Sequence, residues 1–244
     1  MKSGFFLITT LLYMSSSESA LGQTNQLRTD LSIAHLVKYP ASFEKGNTDK
    51  KYPLILALHG HGSNETDLIG LSSHLQENLF WVSGRGPHTF GKNAYDWYEV
   101  TQMGTPDPDR ISAALRSIDG FIDELIAKYP IDPDKIFLLG FSQGSMISMS
   151  YAMAYPNRIA GVIAQSGYIP PSIGMEIDTS GIIDKPILIT HGLEDPNMPI
   201  SWGRKTRDTL VDLGADVEYK EFHMGHSISN ESLQTVKEWL DKLQ

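Results

Sequence analysis

Ser142 stands at the centre of Gly140-Phe141-Ser142-Gln143-Gly144, a G-x-S-x-G pentapeptide that turns a strand sharply into a helix and lifts a serine hydroxyl clear of a sheet. A Cβ at Gly140 or Gly144 would crowd that turn. A serine hydroxyl is a poor nucleophile at neutral pH, so it needs a base, and the base needs an anchor. Where such a turn carries nucleophilic chemistry, an acid and then a histidine follow it along the chain. His226 fits the base: it lies in His223-Met224-Gly225-His226, where the Met-Gly turn frees it to reach back over strand ends. His223 directly follows the strand residue Phe222 and suits a surface loop better. For the acid, Gly192-Leu193-Glu194-Asp195-Pro196 offers two carboxylates. Asp195 precedes a proline, which biases it to an extended backbone that can project the side chain, whereas Glu194 fits a solvated loop charge.

Charge developing on a carbonyl oxygen calls for two backbone N–H groups aimed at it. Gln143, the residue after the serine, supplies one from a helix N-terminus whose free N–H groups favour negative charge. The second falls to His59-Gly60-His61-Gly62, after an apolar strand, with the His61 amide as donor. Two histidines two apart also suit a metal, but no neighbouring carboxylate or cysteine in the sequence completes a ligand set. Neither a metal nor another cofactor is expected, and His59 reads as a structural residue. The chemistry is acylation of Ser142, then hydrolysis of the acyl-enzyme by water activated through His226. A histidine base works only when neutral, so activity should fall as pH drops through roughly 6–7.

These residues need strands and helices to hold them. Leu54–Leu58 (LILAL) and Ile136–Leu139 (IFLL) are continuous apolar runs, the pattern of strands covered on both faces. Further strands are expected at Leu31–Tyr39, Leu79–Ser83, Gly161–Ala164, Ile187–Thr190 and Val217–Phe222. Helices are expected from Asp67, from Ile111 to Ile126 with Asp109 as cap, after Ser142 to Tyr155, over Ser201–Leu213, and from Ser229. Gly84–Asp109 reads as one long irregular stretch. Strands alternating with helices imply an α/β chain: a mostly parallel sheet with helices on both faces. Only about twenty residues separate Ser166 from Lys185, too few for a large lid domain. The site is then open, or shaped by Phe90, Tyr95, Trp97 and Tyr98 of the irregular stretch, with Trp97 lining the substrate pocket. Those aromatics equally suit ordinary packing of a long loop.

The chain has 244 residues with 41% hydrophobic and 20% charged, which suits one large globular domain. Its formal charge of −9 repels phosphate backbones and anionic membranes, so nucleic acid is not an expected partner. Cysteine is absent, which excludes disulfides, thiolate metal sites and a cysteine nucleophile. Residues 1–22 differ from the rest. Lys2, the apolar run Phe5–Met14 and a small-x-small Ala20-Leu21-Gly22 form the pattern of a cleavable secretory signal, which implies a secreted or periplasmic protein; the alternative is a partly apolar N-terminus on a cytoplasmic one. The apolar run is ten residues, below the ~20 that span a bilayer, so stable membrane insertion is not expected.

Taken with Leu58-His59-Gly60-His61-Gly62-Ser63-Asn64, Leu139 before the elbow, His191-Gly192 and Gly225-His226, the chain resembles the phospholipase/carboxylesterase family of α/β-hydrolases, which includes acyl-protein thioesterases and small bacterial carboxylesterases. The Ser-Gln-Gly form of the elbow is more specific than G-x-S-x-G in general, and the four motifs occur in the family's order. Ser145 departs from the glycine often found after the elbow. The resemblance implies an α/β-hydrolase catalytic domain over residues 28–244, a small-molecule ester as substrate, Ser142, Asp195 and His226 as catalytic residues, and the His61 and Gln143 amides as oxyanion hole. A thioesterase or lysophospholipase would use the same groups. A non-catalytic binding protein on this scaffold usually lacks one of the three.

Overall fold

A computed structural model of the chain describes residues 26–46, 49–101 and 104–243. The signal-like segment 1–22 lies outside them. Strands run at β1 (His35–Lys38), β2 (Tyr52–Leu58), β3 (Phe80–Gly84), β4 (His88–Gly91), β5 (Ala94–Asp96), β6 (Ile131–Phe141), β7 (Gly161–Gln165), β8 (Pro186–Gly192) and β9 (Asp216–Phe222). Helices are α1 (Thr66–Ile69), α2 (Pro108–Lys128), α3 (Gln143–Ala154), α4 (Ile200–Asp212) and α5 (Asn230–Lys242). Seven strands form one sheet in the order β1-β3-β2-β6-β7-β8-β9, and every neighbouring pair except β1 with β3 is parallel.

The continuous apolar runs have a direct cause. Along β2, Leu54, Leu56 and Leu58 join one core while Ile55 and Ala57 join the other. The first core is closed by α2, α3 and α4 through residues such as Leu115, Met149 and Leu210. The second is closed by α1 and α5 through Leu68, Val236 and Trp239. A strand buried on both faces cannot alternate polar with apolar, so it reads as an unbroken hydrophobic word.

Four expectations need correction. The strand anticipated over Leu31–Tyr39 is confined to His35–Lys38. The chain before it is held instead by α2, since the Ser32 amide and hydroxyl both donate to the Glu124 carboxylate, at 2.8 and 2.7 Å. The helix from Asp67 is a single turn continued as a 3₁₀ segment over Gly70–Ser73. The stretch Gly84–Asp109 is not wholly irregular: β4 and β5 pair antiparallel as a hairpin through Asn93, at φ 55°. Finally, α2 is capped by Asp107, not Asp109; the Asp107 side chain accepts the Asp109 amide at 2.9 Å and Pro108 occupies the first helical position.

Candidate active site

The ends of β6, β8 and β9 bring the three predicted residues together. β6 ends at Phe141 and α3 begins at Gln143, so Ser142 alone makes the turn, at φ 53° and ψ −115°. A non-glycine residue there carries backbone strain of about 1–3 kcal/mol, which the surroundings must hold in place. They do. The Ser142 amide donates to the Gln165 carbonyl on β7 at 2.9 Å, and α3 passes so close over β2 that a Cβ on Gly144 would lie 1.9 Å from the Leu58 carbonyl oxygen.

His226 sits in the loop between β9 and α5 and faces both partners. Its Nδ1 is 2.7 Å from Asp195 Oδ2 and its Nε2 is 2.9 Å from Ser142 Oγ. With the proton on Nδ1, Nε2 is left to accept from the serine hydroxyl, the arrangement a general base requires. The Asp195 side chain is wholly buried. Its other oxygen, Oδ1, accepts the amides of Asn197 and Met198 at 2.9 and 2.8 Å, so no lone pair is stranded away from water. His191, at the end of β8, donates through Nε2 to the Met198 carbonyl at 2.8 Å and ties the same loop down. The competing residues lie outside: His223 is almost fully exposed beside the exposed Glu194.

Of the two residues expected to give amide donors, Gln143 directly follows the serine and His61 lines the same cavity. Gln143 opens α3, so its N–H has no carbonyl one turn earlier to bond. Its side chain is fixed by the main chain at residues 97 and 98: Oε1 accepts the Trp97 amide at 2.8 Å, and Nε2 donates to the Tyr98 carbonyl at 2.9 Å. His61 lies in the turn after β2, where Ser63 N donates to Gly60 O at 3.2 Å. The pairing of His59 and His61 as metal ligands is not supported by their contacts. His59 is buried, donates from Nδ1 to the Gly60 carbonyl at 2.7 Å and accepts the Gly86 amide on Nε2 at 2.9 Å, so both ring nitrogens are engaged. His61 is bonded elsewhere: its Nδ1 is 2.7 Å from Asp96 Oδ1. That carboxylate is 35 residues away in sequence, out of reach of local motif reading. Among the described residues, no group of three or more His, Cys, Asp or Glu is placed to hold a metal.

A cavity of about 250 Å³ opens at Ser142, His226 and His61. Its wall is mainly Tyr98, Val100, Met146, Tyr168 and Met198, with Asn197 as a polar member. Burial raises the phenol of Tyr98 well above its ordinary value and that of Tyr168 above its own, so this wall stays uncharged. Trp97 does not line it. That residue is 1% exposed and donates from Nε1 to the His59 carbonyl at 3.0 Å, which makes it part of the support beneath the site. The adjacent Tyr98 is the cavity residue from this segment, and Tyr168 comes from the short 166–185 connection.

A family model described as Phospholipase/Carboxylesterase matches residues 43–244. A probable carboxylesterase SOBER1-like protein of Arabidopsis thaliana is 30% identical over 203 residues, covering 76% of this chain and 77% of that protein. Acyl-protein thioesterase 1 of Kluyveromyces lactis is 27% identical over 209 residues, 78% of this chain and 91% of that one. Among solved structures, the carboxylesterase of Bacillus cereus superposes with a TM-score of 0.77 at 23% identity, covering 88% of this chain and 96% of that chain. The architecture is the α/β-hydrolase fold, and the described residues contain no large extra domain.

Proposed function

The chain belongs to the phospholipase/carboxylesterase family, and from that premise we propose that it is a carboxylesterase that hydrolyses short- to medium-chain esters through Ser142, His226 and Asp195. The observation that carries this reading is the unbroken line Asp195 Oδ2–His226 Nδ1, 2.7 Å, and His226 Nε2–Ser142 Oγ, 2.9 Å, ending on a serine with a strained backbone. His226 takes the hydroxyl proton as Ser142 attacks the ester carbonyl, and Asp195 steadies the imidazolium that forms. The amides of Gln143 and His61 receive the oxyanion. The protonated His226 then returns its proton to the leaving alcohol, and a water enters by the same route to release the acid.

The cavity supports the proposed substrate size. At about 250 Å³ it falls just below the roughly 300–1,000 Å³ of pockets that hold drug-sized ligands. Its uncharged wall of aromatic, Val and Met side chains suits an alkyl acyl group. The same groups can cleave thioesters, and the likeness to a protein named acyl-protein thioesterase 1 makes short acyl thioesters the second class to assay.

The test is p-nitrophenyl ester hydrolysis over acyl chains from C2 to C12, with wild type and Ser142→Ala in parallel. Wild type should turn over best at short to medium chains and fall off by C12. Ser142→Ala should lose at least about a thousandfold in kcat while remaining folded. An active Ser142→Ala would remove Ser142 from its role.

A further inference from the structure

The segment Tyr95–Tyr98 touches both halves of the expected oxyanion hole within four residues. Tyr95 N donates to the Ser63 carbonyl at 2.7 Å. Asp96 Oδ1 accepts both the Gly62 amide, at 2.8 Å, and His61 Nδ1, at 2.7 Å. Trp97 N and Tyr98 O then grip the Gln143 side-chain amide at 2.8 and 2.9 Å. Residues 95 and 96 therefore hold the loop that carries the His61 amide, while residues 97 and 98 hold the residue that carries the other. One short strap spans the gap between the two donors.

Within that strap we infer that Asp96 is a positioning residue: its carboxylate sets where the His61 amide points. Asp96 is 3% exposed, and the burial of a carboxylate is tolerated because its bonds run to the His61 ring and the Gly62 amide. The His61 N–H belongs to the Gly60–His61 peptide, whose carbonyl accepts Ser63 N at 3.2 Å and His59 Nδ1 at 2.7 Å, while Asp96 holds the other side of the same residue through the His61 ring and the Gly62 amide. With the Gly60 carbonyl held on one side and the His61 ring and Gly62 amide held by Asp96 on the other, the peptide that carries the His61 N–H is not free to rotate away from a developing oxyanion. The His61 ring is also packed edge-on against Phe90, with centroids 4.5 Å apart, which closes its other degree of freedom. Neither Asp96 nor the imidazole of His61 needs to touch the reacting atoms. Their effect is on pre-organisation, which matters in the transition state and little in substrate binding.

This inference rests on the Ser142 reading above. It is tested with Asp96→Ala, Asp96→Asn and His61→Ala, each measured for kcat, KM, Tm and affinity for a trifluoromethyl ketone that forms a hemiketal on the serine. Asp96→Ala should lose on the order of tenfold to a hundredfold in kcat, short of the loss of a whole oxyanion donor, with KM within about twofold. Affinity for the ketone should fall by a similar factor. Asp96→Asn keeps an oxygen at the position of Oδ1, so it should restore most of both. His61→Ala keeps the amide but removes the arm, and should lose about three- to tenfold in each. It covers the case in which Asp96→Ala does not fold. Folded Asp96→Ala or His61→Ala with wild-type kcat and wild-type ketone affinity overturns the inference. So does a fall in kcat with unchanged ketone affinity. If Ser142→Ala is inactive while these variants behave as wild type, only this inference fails. If Ser142→Ala is active, the functional reading fails with it.

Discussion

Behind Ser142, the side chain of Ser145 and the main chain of Gly167 press against each other. Ser145 is wholly buried, and a Cβ on Gly167 would lie 2.5 Å from its hydroxyl oxygen and 3.0 Å from the Ser142 carbonyl oxygen. The serine that departs from the family's usual glycine therefore has its space supplied by a glycine on the next strand's end. Gly167→Ala should destabilise by about 1–3 kcal/mol, the usual range for an overpacked site. Ser145→Gly in the same chain should recover part of that, since it removes the nearest atoms but not the Ser142 carbonyl. A urea-denaturation double-mutant cycle measures the coupling; an equal cost of Gly167→Ala in both backgrounds would show that the two residues do not interact. At this scale the sequence is legible where chemistry is local. Ser142, Asp195 and His226 each sit in a short motif whose glycines or proline state the geometry. Trp97 and Tyr98 are not legible in that way. Which of two adjacent aromatics faces the cavity depends on Trp97 N bonding Gln143, a contact across 46 residues.

Elements are legible in proportion to how fully they are buried. β2, β6, β7 and β8 read as apolar words because helices cover both of their faces. The β4–β5 hairpin does not, because β4 is exposed along its whole length and has no buried side to impose alternation. Helix ends depend on single residues. The apolar repeat starting at Ile111 points to Asp109 as the cap before α2, whereas the structure caps the helix with Asp107. Pro108 is the deciding signal, since proline suits the first helical position and its missing N–H costs nothing there. Asp107→Ala should then cost about 1 kcal/mol and lower Tm by about 2–4 °C. Asp109→Ala removes only a first-turn charge and should stay within about 0.5 kcal/mol. The reverse ranking in thermal melts would return the cap to Asp109.

At the scale of the whole molecule, two histidines inside a chain of net charge −9 tie stability to pH. His35 on β1 is buried against Phe121 of α2 and donates from Nδ1 to the Ile33 carbonyl at 2.8 Å. His59 is buried at the end of β2, with one ring nitrogen donating and the other accepting, a pattern only the neutral ring can make. Burial lowers the pKa of both below 6.5; for His59 it outweighs the hydrogen bond to the Gly60 carbonyl and the smaller pull of Asp67, Glu65 and Asp96. A histidine held neutral in the fold takes up a proton more readily once unfolded. Its contribution to stability is therefore complete above about pH 6.5 and is lost progressively as pH falls toward its lowered folded value. Each ring adds at most about 1.4 kcal/mol per pH unit to that slope. Activity measured below about pH 6.5 therefore carries a stability term that must be separated from the chemistry at Ser142. Chemical denaturation at several pH values from 5 to 8 isolates the stability term. His35→Gln keeps a donor for Ile33 but cannot titrate there, and should flatten the slope of stability against pH while leaving the activity profile unmoved. An unchanged slope would show that His35 titrates alike in the folded and unfolded chains. An activity profile that shifts along with it would show that the acid limb reports unfolding of the sheet and not the chemistry at Ser142.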